Sequence, residues 1–396
     1  MGRRRWLILA CGLAAQAATC SFLYGLPMLV PQLRAEYGIS LAGAGAVVGA
    51  PAVGLILTLI LWGAVADRRG ERLVIASGIL LSAALLLVAG RLHSVPALCA
   101  ALAAAGAAGA SVNAASGRVV LGWFAAHERG LAMGLRQTAQ PLGVAIAAVA
   151  LPPVANRYGV GDALLVPAGL CALVGVLVLL LVVDPPRGVR GALETAGSPY
   201  RVPTLWRLHA ASTMLVVPQF AISGFSMAYL VDVRHWDTLA AGRVLFLGQV
   251  LGALGRIGAG LWSDRVASRL TPMRQLAVAS TLVMLGVALG DRLHSPAVIV
   301  VLLLGAVITV ADNGLAFTAV AEFAGSAWAG RALGAQNTAQ NVASALTPPL
   351  LGGLIGAHGY GLGFLVGAAC PLLAIGLTPV LAERRATTRQ PEPAKA

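Results

Sequence analysis

Charged residues are scarce in this sequence. Only 11% of its 396 residues are charged, against about 25% in an ordinary soluble domain, whereas 58% are hydrophobic. Aromatic residues contribute only 5%, so alanine and the aliphatic side chains supply most of the hydrophobicity. A soluble protein of this length could not cover its surface with so few charges. The composition therefore excludes the soluble, disordered and disulfide-rich secreted classes and indicates a membrane protein.

Lysine is almost absent. Lys395 is the only lysine among 28 basic residues. A Walker A loop needs a lysine on the nucleotide phosphates, so we expect no use of ATP by that route. The net charge of +13 comes from arginines scattered among short loops, so we expect no nucleic-acid partner either.

Motifs for catalysis and metal binding are also missing. The five cysteines form no CxxC pair, and the six histidines form no HExxH motif. We interpret the cysteines as small buried hydrophobic residues. The sequence thus predicts no catalytic residues, no metal and no cofactor. A polytopic membrane enzyme stays an alternative, but it would need a cluster of His, Cys or carboxylate groups near a membrane face.

Twelve apolar segments are long enough to cross a bilayer, which takes about 20 residues in a helix. They are 6–30, 41–65, 73–90, 96–122, 131–154, 163–183, 209–231, 240–262, 275–290, 296–320, 333–357 and 362–382. We predict an all-α membrane protein with a six-helix bundle in each half. The predicted parts are a first bundle (1–183), a cytoplasmic linker (184–208), a second bundle (209–383) and a disordered cytoplasmic tail (384–396).

The distribution of arginine in the loops predicts the orientation. With the N-terminus in the cytoplasm, the basic clusters near positions 4, 69, 187, 269 and 385 all face the cytoplasm, as the positive-inside rule requires. We therefore predict cytoplasmic termini and a multi-pass protein of a prokaryotic plasma membrane. The start MGRRRWLILA is similar to the basic region of a signal peptide, and we interpret it as an uncleaved first span.

The two halves repeat each other. Residues 130–140 read GLAMGLRQTAQ and residues 330–340 read GRALGAQNTAQ, and at the same offset Asn113 matches Asn313. An even number of helices per half gives both halves the same orientation. Two parallel repeats suit alternating access around a site near the bilayer midplane.

The loop after the second predicted helix has the most specific pattern. Its sequence GAVADRRGER (63–72) resembles the pattern G-x-x-x-D-R-x-G-R-[RK] of the major facilitator superfamily and departs from it at Glu71. The resemblance implies a twelve-helix secondary transporter. It also implies a gating motif formed by Gly63, Asp67, Arg68, Gly70 and Arg72, with a partial copy at Gly260, Asp264 and Arg265. Asp67 could also lie at a helix N-terminus, where an anion is favoured. The alternative is a solvated loop that only fixes topology.

Polar side chains inside a membrane span carry a free-energy cost, so those in the predicted spans are candidates for function. The resemblance implies that helices 1, 4, 7 and 10 line the cavity, with 2, 5, 8 and 11 beside them. From these helices we predict nine substrate-binding residues: Tyr24, Asn113, Arg118, Gln219, Arg256, Asn313, Gln336, Asn337 and Gln340. Arg136 on helix 5 is expected to have a structural or gating role, and the same role is an open alternative for Arg118.

Arg256 carries a second, weaker resemblance. The run Arg256-xxx-Gly260-xxx-Asp264 resembles helix 8 of the monocarboxylate and oxalate/formate transporters, in which the arginine binds the substrate carboxylate. The sequence departs from the first branch at Gly252, where an aspartate is expected, and from the second at positions 336 and 337, near which a lysine is expected.

Asp312 is the only carboxylate within a predicted span, so it is our candidate for proton coupling. The alternative is an ion pair with an arginine across the cavity. We predict a monomeric secondary active transporter of a small solute, with an organic anion as the expected substrate class. It would work by rocker-switch alternating access. The open alternatives are a proton-coupled efflux antiporter for drugs or metabolites, and a channel. The antiporter motif G-P-x-x-G-G is matched at Pro141 but not at its glycines. This mismatch disfavours the efflux antiporter.

Overall fold

The computed structural model describes residues 2–184 and 197–383. Within these ranges the regular secondary structure is helical, with no strand. The predicted tail 384–396 lies outside the described residues, as do residues 185–196 of the predicted linker.

Most helices are long. The α-helices are α1 (Gly2–Leu23), α2 (Val30–Tyr37), α3 (Leu41–Arg69), α4 (Glu71–Ala89), α5 (Val95–Trp123), α6 (Arg129–Gln137), α7 (Ala139–Tyr158), α8 (Val160–Ala163), α9 (Leu165–Leu181), α10 (Pro203–Ala228), α11 (Thr238–Arg265), α12 (Leu270–Arg292), α13 (Val298–Ala311), α14 (Asn313–Ala324), α15 (Ala329–His358), α16 (Tyr360–Gly367) and α17 (Ala369–Leu377). Short 3-10 turns occur at Leu26–Leu29, Ala126–Glu128 and Pro199–Arg201, and a π turn at Tyr229–Val233.

Eleven helical segments of the described chain are long and apolar enough to cross a membrane. This confirms the prediction of an all-helical membrane protein. The predicted span 333–357 lies within α15, which has 30 residues but is not among the eleven. Its amide and hydroxyl side chains lower its mean hydropathy, so the count of twelve spans stays a prediction.

Several predicted spans consist of more than one helical segment in the described chain, and two of them bear on the candidate site. The segment predicted as 296–320 consists of α13 and α14, which meet at Asp312. The segment predicted as 131–154 consists of α6 and α7, which meet at Thr138, whose hydroxyl donates to the Leu135 carbonyl at 2.7 Å. Side chains of Asp and Thr bond to nearby backbone groups and so compete with the helical pattern. Apolar periodicity does not report such breaks.

The chain divides into two compact units. The first contains Met1–Ala125, Leu135–Gly197 and Ala324–Asn341, and the second contains Ala126–Gly134, Ser198–Phe323 and Val342–Ala396. Each unit therefore includes a short segment from the opposite sequence half. These two segments hold the starts of α15 and α6, which are the repeated sequences at 330 and 130.

Close backbone packing organises the first unit. A Cβ atom added at Gly54 would overlap the backbone of Ala103, and one added at Gly106 would overlap the backbone of Pro51. These contacts hold α3 against α5, because helices approach most closely where glycine removes the side chain.

Glycines of α11 allow a similarly close packing of helices in the second unit. A Cβ atom at Gly252 would lie 2.7 Å from the Ala306 carbonyl oxygen, and one at Gly255 would lie 2.7 Å from a Val307 methyl group. The face of α11 next to Arg256 is thus packed against α13, the helix that ends at Asp312.

Candidate functional site

The carboxylate of Asp67 caps the N-terminus of α15 within the first unit. Its Oδ1 accepts the backbone N–H of Gly330 at 2.8 Å, and its Oδ2 accepts the backbone N–H of Arg331 at 3.1 Å. The Arg331 side chain adds a bond from Nε at 2.9 Å. Because the first N–H groups of a helix lack partners within the helix, a carboxylate here satisfies two of them and interacts favourably with the helix dipole.

Glycine makes this capping contact possible. A Cβ atom at Gly63 would overlap the backbone of Gly330, and a Cβ atom at Gly330 would overlap the backbone of Gly63. One turn further along α15, a Cβ atom at Gly334 would lie 2.7 Å from the Leu59 carbonyl oxygen. The backbones of α3 and α15 therefore touch directly beside Asp67.

Arg118 lies in the same cluster. Its Nη1 donates to Asp67 and its Nε donates to Glu71 at 2.7 Å. All three side chains are buried. The remaining oxygen of Glu71, Oε2, is buried without a hydrogen-bond partner in the described chain. The structure thus places Arg118, which we predicted to bind substrate, among the predicted gating residues.

The second unit contains a matching cap. Asp264, at the end of α11, accepts the backbone N–H of Gly130 at 2.9 Å and that of Leu131 at 2.8 Å, which are in the first turn of α6. Cβ atoms at Gly130 and Gly260 would each overlap the other's backbone. Arg269 donates to Asp264 at 2.6 Å, as Arg118 does to Asp67. The sequence repeat is therefore also a repeat of contacts.

The other predicted motif residues lie at or near the ends of α3, α4 and α11. Gly70 ends α3 with a φ of +95°, a conformation that favours glycine. Arg72 donates from Nη2 to the Leu179 carbonyl at 2.5 Å. Arg68 and Arg265 are exposed. Asp184 caps the start of α4 by accepting the N–H groups at positions 71 and 72, at 2.9 and 2.8 Å.

Two buried opposite charges lie in the second unit. Arg256 on α11 is 5% exposed, and Asp312 between α13 and α14 is 2% exposed. They are close enough to attract each other, but among the described residues no ion pair joins them. Arg256 Nε and Asp312 Oδ2 are both buried without a hydrogen-bond partner in that part of the chain. Two such atoms are costly unless another group satisfies them.

A small, mostly apolar cavity with a few polar uncharged side chains lies in the same unit. The cavity measures about 50 Å³ and is lined by residues of α10, α11 and α13, including Gln219, Gln249 and Thr309. Asn313 donates from Nδ2 to Gln219 Oε1 at 2.9 Å. Gln249 was missing from the predicted site. Its spacing could have identified it, because it precedes Arg256 by seven residues and so lies on the same face of α11.

The predicted residues of the first unit form a separate polar group. Tyr24 donates from its hydroxyl to Asn341 at 3.1 Å, and Gln16 donates to Asn113 at 3.4 Å. Asn337 donates to the Leu333 carbonyl at 2.9 Å. Gln336 is buried and Gln340 is half-buried on the same helix.

Arg136 is fully buried within this group. It donates from Nε to Ser116 at 2.9 Å, from Nη1 to Gln137 at 3.1 Å and from Nη2 to the Asn113 carbonyl at 3.3 Å. These bonds tie α6 to α5 in the first unit.

Similarity to known proteins identifies the family. Residues 12–348 match the family described as Major Facilitator Superfamily. The chain belongs to this superfamily. It is 41% identical over 379 residues to the uncharacterized MFS-type transporter Rv2994 of Mycobacterium tuberculosis (strain ATCC 25618 / H37Rv), covering 95% of this chain and 85% of that protein.

Solved structures show the same superfamily fold. The E. coli fucose:proton symporter FucP matches with a TM-score of 0.73 at 16% identity, covering 94% of this chain and 97% of that one. The human organic anion transporter MFSD10 (TETRAN) matches with a TM-score of 0.72 at 16% identity, covering 95% and 99%. The predicted family is thus confirmed, and the chain is a multi-pass membrane transporter rather than an enzyme.

Proposed function

We propose that this superfamily member is a secondary active transporter of a small organic anion. In this proposal Arg256 binds the carboxylate of the substrate, and Asp312 carries a coupled proton. The observation that supports it most is the pair of opposite charges in the second unit. Both are more than nine-tenths buried, and each has a polar atom without a partner among the described residues.

Charge balance supports coupling between the anion and the proton. With both groups ionised, the empty site carries no net charge. Binding of the anion alone would leave a charge of −1, and binding of the proton alone would leave +1. Uncompensated charge in a membrane interior costs several kcal/mol. Only binding of both restores neutrality, so we expect one proton to accompany each singly charged anion in the same direction.

The chemistry of arginine supports a carboxylate as the ligand. Its planar guanidinium holds a carboxylate through two parallel hydrogen bonds. Arg256 Nε, which has no partner within residues 2–184 and 197–383, is one of the donors used in that arrangement. Gln219, Gln249 and Asn313 would then contact the uncharged part of the molecule. In the first unit, Tyr24 and Asn113 remain proposed substrate contacts, together with Gln336, Asn337 and Gln340.

The superfamily fold is compatible with both parts of the proposal. One solved neighbour is named an organic anion transporter, and another is named a fucose:proton symporter. Because these neighbours share 16% identity with the chain, they support the fold, and the choice of an anion rests on Arg256.

We further propose that the two aspartate caps act as gates. In this proposal the contacts of Asp67 with α15 and of Asp264 with α6 break and re-form during a rocker-switch cycle. The arginine-rich loops and both termini would face the cytoplasm of a prokaryotic cell, in keeping with the mycobacterial relative.

A ligand screen followed by transport measurements tests this function. We expect monocarboxylates or dicarboxylates, and not neutral sugars, to raise the thermal unfolding midpoint of the purified protein. The best ligand should then accumulate in proteoliposomes under a proton gradient. Arg256→Lys keeps the charge but loses the two-bond geometry, so it should weaken binding by about fivefold or more, on the order of 1–3 kcal/mol. Arg91→Lys, at an exposed loop arginine, is the control. Stabilisation by a neutral sugar and by no anion would contradict the proposal.

A further inference from the structure

A basic groove outside the proposed transport site lies at one end of the second unit. It has a volume of about 930 Å³ and is formed where the start of α10, the start of α12 and the end of α17 meet. Two arginines line it, Arg207 on α10 and Arg274 on α12. No acidic residue is among the residues that line it.

The two guanidinium groups differ in their contacts. Arg207 donates from Nη2 to the Gly376 carbonyl at 2.9 Å and from Nε to the Leu377 carbonyl at 3.3 Å, at the C-terminus of α17. Arg274 is exposed and has no hydrogen bond or ion pair with any described residue. One charge is therefore fixed in the groove and a second is available to a ligand.

Most of the groove wall is apolar. They include Val202, Ile375 and Leu381, and the exposed side chain of Leu381 extends the apolar surface beyond the arginines. Trp206, next to Arg207 in sequence, is 60% exposed and donates from its indole N–H to the Tyr200 carbonyl at 3.1 Å. Exposed tryptophan beside arginine is typical of the zone where a membrane protein meets lipid headgroups.

From this combination we infer that the groove binds an anionic phospholipid, with the headgroup phosphate on Arg207 and Arg274 and the acyl chains along the apolar wall. Basic pockets between helices at the membrane interface recognise anionic headgroups in this way. Charge argues against the chain's own neighbouring segments as occupants. Residues 185–196 contain two arginines and one glutamate, and the sequence after Glu383 begins with Arg384 and Arg385.

Native mass spectrometry of the detergent-purified full-length protein tests this inference. We expect phosphatidylglycerol to form a stoichiometric adduct that phosphatidylcholine does not. Arg274→Gln should weaken that adduct about fivefold, which is the effect of one basic residue near an anionic headgroup. Because Arg274 has no described partner, the variant should fold normally. The matched control is Arg69→Gln, at an exposed arginine of the first unit that also lacks a described partner.

Several outcomes would overturn the inference. Equal weakening by both variants would mean that total charge, and not this groove, attracts the lipid. Full competition by inorganic phosphate or glycerol phosphate would assign the groove to a soluble anion. A photoreactive amino acid at position 381 gives an independent measurement. It should cross-link to phosphatidylglycerol, and a cross-link to residues 384–396 instead would assign the groove to the chain's own tail.

Discussion

The carboxylate of Asp67 accepts the backbone N–H of Gly330 at 2.8 Å, and 197 residues later Asp264 accepts that of Gly130 at 2.9 Å. In both cases a carboxylate at the end of one helix caps the first turn of another, beside a contact between glycine backbones. A cap of this kind contributes about 0.5–2 kcal/mol. Such an energy is large enough to favour one arrangement and small enough to be overcome in a transport cycle.

Asp67→Asn should lower the transport rate several-fold while leaving the amount of folded protein in the membrane unchanged. The carboxamide keeps an oxygen that can accept a backbone N–H, but it loses the charge that attracts Arg331 and the start of α15. Arg118 keeps Glu71 as a partner, so the fold should survive. Uptake by proteoliposomes and the yield of folded protein are the measurements.

The control for this prediction is Asp162→Asn, at an aspartate without a side-chain partner in the described chain. Wild-type transport by Asp67→Asn would show that the cap has no part in gating.

Gly63→Ala should destabilise the protein by about 1–3 kcal/mol, because its methyl group would overlap the Gly330 backbone. Gly49→Ala on the same helix is the matched control, since a Cβ atom there has no neighbour within 4 Å. Thermal unfolding in detergent should give a lower midpoint for the first variant and an unchanged or slightly higher one for the second. Equal midpoints would mean that α3 and α15 are not held together at this point.

The internal repeat made part of this arrangement predictable. The offset between GLAMGLRQTAQ and GRALGAQNTAQ indicated that positions 130 and 330 are equivalent, and the motif identified Asp67 and Asp264 as important. The partners of these aspartates were not predictable, because the contact between positions 67 and 330 joins residues 263 apart in sequence. Hydrophobic periodicity describes one helix at a time and does not report which helix ends meet.

Other features depend on single side chains. The sequence departs from the superfamily pattern at Glu71, and in the fold Glu71 gives Arg118 a second carboxylate. The helices α13 and α14 meet at Asp312, a single carboxylate within a continuous apolar run. The fold class was therefore predictable from composition and repeats, whereas the position of each polar group depended on how the helices pack.

Asp312→Asn should abolish proton-driven uptake but preserve exchange of anion for anion. An asparagine cannot release or take up a proton, so the empty site would keep the positive charge of Arg256 and bind the anion at any pH. In the wild type, uptake should increase as the external pH falls, because the proton enters with the anion. Uptake across a range of external pH, together with counterflow, is the measurement. An unchanged pH dependence would mean that Asp312 is structural.

Arg256→Ala should destabilise the protein by about 3–5 kcal/mol, because it leaves Asp312 buried without an opposite charge nearby. The double variant Arg256→Ala with Asp312→Ala removes that cost, so its unfolding midpoint should lie closer to the wild-type value. Neither variant should bind the anion. A merely structural role for these two opposite charges would also give recovery in the double variant, so the binding measurement decides between the two roles. If Arg256→Ala binds the anion with wild-type affinity, Arg256 is not the substrate contact, and a neutral substrate becomes the better explanation for the cavity beside Gln219 and Gln249.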